Sequence, residues 1–281
     1  MAISNFVPEI WSPAILRNLR SALVYGSLAN RDYEGDIANA GDTVHITSFS
    51  DPAVRSYTKN SDISWDLLTD ATRALIVDQA DYFAFTVDDI DRRQALPGFV
   101  AKASQGAAYN LANEVDSYVS GLMVSATDGT AQDLGHLTFD ISDNTAYGHI
   151  VDMRTKLNRN NVPMQGRWVV VSPEIYAALL QDNRFIKANE AGTTQGLREG
   201  FVGRMAGFDV YESNTVPEPT SGTYHVIAGS SIACTFADQI TETEAIRLQD
   251  QFGDGLRGLH LYGAKVVYPT ALVLASVTVQ A

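Results

Sequence analysis

Cysteine is nearly missing: Cys234 is the only one in 281 residues. A single thiol excludes an intramolecular disulfide framework and any zinc site built on several cysteines. Its mainly apolar setting, Ile232 to Phe236, predicts a buried and unreactive thiol. Charged residues are scarce at 19%, against ~25% in ordinary domains. Together with an apolar content of 45%, this excludes disorder, which needs high charge and low hydrophobicity. Long apolar runs are also lacking. The longest are short stretches such as Ala271 to Ala275, far from the ~20 residues of a membrane span. Met1 to Trp11 has no basic flank before an apolar stretch, so no signal peptide is expected. Basic charge is in deficit as well, with 20 Lys and Arg against 33 Asp and Glu, a net of −13. That balance disfavours a sequence-reading nucleic-acid binder, which shows a basic face.

What is present is a chain long enough for one large domain or two linked ones, at ~150 residues per domain. Its acidity is concentrated. Residues 1–31 carry a net of +2, while residues 32–91 hold thirteen Asp and Glu against three Lys and Arg, a net of −10. Such a segment is either a solvated acidic surface or an arm that meets a basic neighbour.

The pattern along the chain divides into parts. Residues 1–40 read as an arm, with Ser12-Pro13 opening a short helix through Leu23. Residues 41–87 read as an extended β-hairpin. Val44, Ile46 and Ser48 alternate with Thr43, His45 and Thr47, and a second β-rich run spans Arg73 to Val87. The polar connection from Ser50 to Asp70 exceeds the usual ~12–15-residue limit for a loop without a job. A lone hairpin is marginal in water, so this excursion is expected to pack outside its own local core. Residues 91–126 carry the longest helix, with Val100, Ala103, Ala107, Leu111, Val115, Tyr118, Val119 and Leu122 on one stripe and Pro97-Gly98 dividing off an acidic lead-in. A helix over Thr145–Asn158, a buried strand at Trp168–Val171, a helix opened by Ser172-Pro173-Glu174, and strands at Phe208–Tyr211 and Thr223–Ala228 follow. Residues 237–281 read as β-rich, with Pro269 interrupting them.

Catalytic signatures are weak. Gly253-Asp254-Gly255-Leu256-Arg257-Gly258 matches G-x-G-x-x-G, but no buried strand leads into it and no helix follows, so it reads as a glycine-rich turn or loop. His45, His136, His149, His225 and His260 show no metal-ligand spacing. Asp88, Asp89 and Asp91 form a carboxylate group that would suit a metal or acid–base pair, yet acids leading into a helix are ordinary, because they favour its positive end. No enzyme, no cofactor and no metal site are expected.

The order of these parts resembles the major capsid proteins of tailed phages, the Hong Kong 97-like fold. The stretches that carry the resemblance are Arg31-Asp32-Tyr33-Glu34-Gly35-Asp36-Ile37 with Gly41-Asp42-Thr43-Val44-His45-Ile46, Asp88-Asp89-Ile90-Asp91, Trp168 to Pro173, Gly200 to Asn214, and Tyr262 to Pro269. The resemblance implies an α+β fold with an N-arm (1–40), an extended hairpin loop, the E-loop (41–91), a peripheral domain holding the spine helix (92–126 and 237–268), and an axial domain (127–236 and 269–281). It implies self-assembly through pentameric and hexameric capsomers into an icosahedral head enclosing double-stranded DNA. Partners would be further copies of the chain, a portal protein, a separate scaffolding protein, a decoration protein and packaged DNA, with no membrane. The protein would be made in the bacterial host's cytoplasm and reside in the virion.

Within the excursion, Arg55, Tyr57, Lys59 and Trp65 are candidate contacts between subunits, since Trp, Tyr and Arg dominate interface hot spots. Asp62, Asp66 and Asp70 are the candidate acidic partners of a neighbour's basic groups. Arg17, Arg20, Arg92, Arg93 and Lys102 are candidates for loose contact with DNA. An encapsulin-like nanocompartment shell shares the same fold and would differ in its contents. A metal-dependent hydrolase using Asp88, Asp89 and Asp91, and a surface adhesin, are the readings from other classes.

Overall fold

The computed structural model describes residues 23–32, 43–49, 54–56, 59–60, 62, 65–66, 70–88, 99–141, 145–182, 201–248 and 252–280. The arm helix expected over residues 12–23 therefore lies outside the described residues, apart from Leu23. A four-residue turn of helix, α1 (Tyr25–Leu28), follows directly.

Two strands, β1 (Thr43–Phe49) and β2 (Asp70–Ile76), pair antiparallel from Thr43 opposite Ile76 to Phe49 opposite Asp70. The β-rich run read from Arg73 to Val87 is not one strand. It breaks at Val77-Asp78, and β3 (Gln79–Asp88) leaves the hairpin to join a different sheet. Periodicity cannot show this break, because both halves alternate.

The longest helix, α2 (Phe99–Thr127), has 29 residues and starts just after Pro97-Gly98. Leu111, Val115 and Val119 of the expected stripe are buried, together with Ala108, Ala112 and Met123. A Cβ at Gly106 would meet nothing within 4 Å among the described residues.

Strand β4 (Asp133–Asp140) was not legible, since only Phe139 of its eight residues is fully buried. Helices α3 (Ala146–Arg159) and α4 (Pro173–Gln181) bracket the wholly buried strand β5 (Arg167–Val171). Helix α4 begins as the sequence dictates, with Ser172 as N-cap accepting from the Ile175 N–H and Pro173 in the first turn. Strands β6 (Phe201–Met205), β7 (Phe208–Glu212), β8 (Thr223–Ser230), β9 (Cys234–Arg247), β10 (Gly253–Val266) and β11 (Leu272–Gln280) complete the fold.

These strands form a six-stranded mixed sheet in the order β4-β11-β8-β5-β7-β6 and a three-stranded sheet in the order β3-β10-β9. One continuous core joins both sheets, α2, α3 and the α1 segment. A small second cluster, Ile46, Leu75, Ala237 and Val267, roots the β1–β2 hairpin on the three-stranded sheet.

Gly253 to Gly258 is neither a turn nor a loop. It lies inside β10, paired on both sides. Its glycines sit among ladder partners that satisfy the backbone, and Leu256 between them is buried.

Candidate assembly interface

Residues 23–32 form a strap laid on the body of the protein. Leu23, Tyr25, Leu28 and Ala29 enter the core. Asn30 continues the strap as a one-residue bridge beside Thr235: its N–H donates to Cys234 O at 2.8 Å, and Phe236 N–H donates to Asn30 O at 2.9 Å.

Two buried carboxylates hold this strap. Asp116, on the apolar stripe of α2 and only 2% exposed, accepts from the Val24 N–H at 2.7 Å and the Gly26 N–H at 3.0 Å. Burial pushes its pKa up to about 6, against the opposing pull of the backbone N–H groups of Val24, Gly26 and Tyr25. Asp238 of β9 pairs with the Arg31 guanidinium, which also sits 5.3 Å over the Phe236 ring. His260 of β10 lies 3.5 Å from the other Asp238 oxygen and stacks on Tyr262. Asp238 and His260 side chains are almost wholly buried. Arg31 entered the sequence reading only within a stretch that carries the family resemblance, and neither it nor Asp116 was given a role. The one legible signal was an acid falling between Val115 and Val119 on an otherwise apolar face.

A third buried charge shapes the turn between α3 and β5. Arg167 donates to Pro163 O at 2.8 Å, to Asn158 Oδ1 at 2.7 Å and to Val162 O. Asn160 ties the same turn to Gln132 Oε1 at 2.6 Å and to Thr270 O at 2.9 Å. Arg167 thus satisfies carbonyls that a tight connection would otherwise leave unpaired.

The candidate contact residues of the excursion are exposed where their side chains are described. Trp65 is 90% exposed, and Lys59 and Asp62 are exposed near it in sequence. Arg55 is exposed and pairs with Asp66 of the same chain, so Asp66 is engaged within its own loop. Asp70 opens β2 opposite Phe49. Lys102 lies in the first turn of α2, and Asp88 ends β3 opposite Gly253. Tyr57, Arg17, Arg20, Arg92, Arg93, Asp89 and Asp91 lie outside the described residues.

A second exposed face was not anticipated. On the three-stranded sheet, Tyr82 is 76% exposed beside Ala84, and Leu259 and the Arg257–Glu244 pair lie across the ladder. Phe252, just before β10, is also exposed. Alternation in β3 is the sequence signal: Phe83 and Phe85 turn inward, which turns Tyr82 and Ala84 outward.

Among the described residues no group of three or more His, Cys, Asp and Glu is placed to hold a metal ion. Cys234 is buried, and burial pushes its thiol up to about 12, so it stays protonated at neutral pH. No helix among the described residues is long and apolar enough to cross a membrane.

The described residues thus combine buried charges that fasten segments together with exposed aromatics, Trp65 between β1 and β2 and Tyr82 on the three-stranded sheet. A model of the phage capsid protein family matches residues 69–275. A solved chain from Mycobacterium phage Che8 is 32% identical, with 98% of each chain covered and a TM-score of 0.70. The capsid structure of cyanophage P-SCSP1u is 14% identical, covering 92% of this chain and 89% of that one, with a TM-score of 0.70. The virus-like particle from Pyrococcus furiosus is 12% identical, covering 95% and 98%, with a TM-score of 0.58. These last two share the fold alone. No match was found among curated protein sequences. The chain belongs to the phage capsid protein family, whose members are structural and non-enzymatic.

Proposed function

We propose that this protein is the major shell subunit of a phage head, assembling through pentameric and hexameric capsomers into an icosahedral shell around double-stranded DNA. The observation that carries this reading is whole-chain similarity to a phage chain at 32% identity, joined to a hairpin that holds Trp65 in solvent. An exposed tryptophan on a projecting loop is costly to leave uncovered and is the residue type most enriched at hot spots.

In this reading the β1–β2 hairpin is the E-loop of the Hong Kong 97-like fold, and α2 is its spine helix. The arm is residues 1–40, the extended loop 41–91, the peripheral domain 92–126 with 237–268, and the axial domain 127–236 with 269–281. Contacts of Arg55, Tyr57, Lys59, Asp62, Asp66, Asp70 and Trp65 with a neighbouring copy close the shell. Arg17, Arg20, Arg92, Arg93 and Lys102 face packaged DNA without reading sequence. The portal, scaffolding and decoration proteins complete the particle, which forms in the host cytoplasm.

The first test is electron microscopy of the expressed protein, alone and with a scaffold. Shells or rings of five and six subunits are expected. A monomer under both conditions overturns the reading. DNA inside the particles, against protein cargo, separates a phage head from a nanocompartment shell.

Trp65→Ala is expected to leave the monomer's stability within ~0.5 kcal/mol, as for exposed surface positions, while weakening subunit association by ~2 kcal/mol or more per contact. Sedimentation of particles against urea unfolding of subunits separates the two effects. Unchanged assembly would remove Trp65 from the interface. Assembly should also weaken as salt rises from low ionic strength, because exposed ion pairs are screened over ~10 Å at 0.1 M. Asp62→Lys is the sharpest charge reversal, since Asp66 already has Arg55.

A further inference from the structure

We propose that His136 and His225 form a binding site for a divalent transition-metal ion on the face of the six-stranded sheet, where the ion fastens the edge strand β4 to β8 across β11.

The sheet brings together what the chain keeps apart. His225 of β8 and His136 of β4 are both Cα partners of Ser276 on the strand between them, β11. One rung of the sheet therefore reads His225, Ser276, His136, and its three side chains share a face. The next rung on that face is Thr223, Thr278, Thr138. Linear spacing of the histidines carries no sign of this pair, because only the strand order makes them neighbours.

The placement of His136 depends on a bulge. Where β11 advances from Leu274 to Ser276, its partner β4 advances from Asp133 to His136, one residue further. Gly135 takes up the extra residue. Its φ of +75° is one that glycine adopts readily, and its N–H donates to Asp133 Oδ1 at 2.7 Å. Without the bulge His136 would stand opposite Val277, which is fully buried, and would face the core. Re-aiming a side chain is a recurrent use of bulges beside functional sites.

Two contacts incline both rings toward β11. Ser276 Oγ lies 3.0 Å from His225 Nδ1, and Thr278 Oγ1 lies 3.2 Å from His136 Nε2. Across two interstrand steps the histidine Cα atoms stand about 10 Å apart, and rings that lean inward from both sides shorten that gap. His136 is exposed and His225 half-buried, so side-chain rotation suffices to bring one nitrogen of each onto a common ion.

The hydroxyls also set the chemistry. A ligating imidazole is neutral and gives the proton on its other nitrogen to an acceptor, which fixes its tautomer. Ser276 Oγ accepts from His225 Nδ1–H and leaves the Nε2 lone pair for the ion. Thr278 Oγ1 accepts from His136 Nε2–H and leaves that of Nδ1. Paired imidazoles suit zinc, copper or nickel, whereas magnesium and calcium take oxygen ligands. The described residues group no third His, Cys, Asp or Glu with these two, so water fills the remaining positions and the ion is exchangeable. Its effect is mechanical. Among the described residues β4 joins the sheet through β11, and an ion held by both histidines adds a second link to that edge.

Calorimetric titration of the full-length chain with Zn2+ tests this. One equivalent is expected to bind, with affinity lowered on the order of a hundredfold in His136→Gln and in His225→Gln alike, because each variant turns a two-point attachment into a single one. Cu2+ in place of Zn2+ should show two coupled nitrogens by electron paramagnetic resonance, and one in each variant. No binding by the wild-type chain, or a loss of less than about tenfold in either variant, overturns the proposal. Should His225→Gln fail to fold, the exposed His136 decides it through stability. Zn2+ should raise the urea midpoint of the wild-type subunit and not that of His136→Gln, as a ligand of the native state does, and an equal rise in both rejects the site. Binding is read on the subunit, so this outcome is separate from that of shell assembly.

Discussion

Gly263→Ala should destabilise the subunit by more than about 3 kcal/mol, at or beyond the upper end of ordinary overpacking. The methyl group would lie 2.3 Å from Ile76 O and 2.9 Å from Val77 Cα, and both are backbone atoms that no rotamer change can move. This is where β10 passes beneath the joint between β2 and β3, so the strain falls on the root of the hairpin. The control is in the same strand. A Cβ at Gly255 would find its nearest atoms at 3.5 Å, which is ordinary contact. Gly255→Ala should stay within ~1 kcal/mol, helped by a less flexible unfolded chain. Urea unfolding of both variants checks the pair: a lower midpoint with an unchanged slope is expected for Gly263→Ala alone. Equal midpoints would mean that the crossing is looser than described.

The second large effect is Arg31→Ala. Its partner Asp238 has a fully buried side chain, with the His260 ring 3.5 Å away. Removing one member of a buried pair costs about 3–5 kcal/mol, because the remaining charge has lost its compensation. The cation–π contact with Phe236 is lost as well. The double variant Arg31→Ala/Asp238→Ala should lose less than the sum of the two single variants, since it leaves no orphaned charge. Strict additivity, measured by thermal or urea unfolding, would show that the two side chains do not act as a pair.

These two effects lie where the sequence was least readable. The stripe of α2, the cap at Ser172-Pro173 and the buried run at Trp168–Val171 follow from local periodicity and turn chemistry, and each stands close to where it was expected. The break at Val77-Asp78 does not follow, because alternation continues across it and only the choice of ladder partner changes. The glycines of Gly253–Gly258 mislead for the same reason. Locally they signal a turn, whereas the strands on either side hold them extended. Strand β4 is an edge strand with a mostly half-exposed pattern, so it lacks the apolar signal that reveals a core strand. Trp65 was singled out by residue type and loop context, and its side chain is exposed. The strap anchors were not, because Arg31 and Asp238 are 207 residues apart.

The strand order of the larger sheet bears on how the chain is made. Strand β11, made after the other described strands, lies between β4 and β8, and among the described residues β4 joins the sheet through it alone. More than a hundred residues separate β4 from this partner along the chain. No nascent chain that stops short of residue 272 can close the sheet, however well its earlier helices form. The sheet is therefore closed only once β11 has been made, through contacts of high sequence separation that form slowly. Translation products cut off early would keep an open sheet edge and an uncovered core. Such chains are material for proteolysis or aggregation, and they lack the finished surfaces that a growing particle would accept.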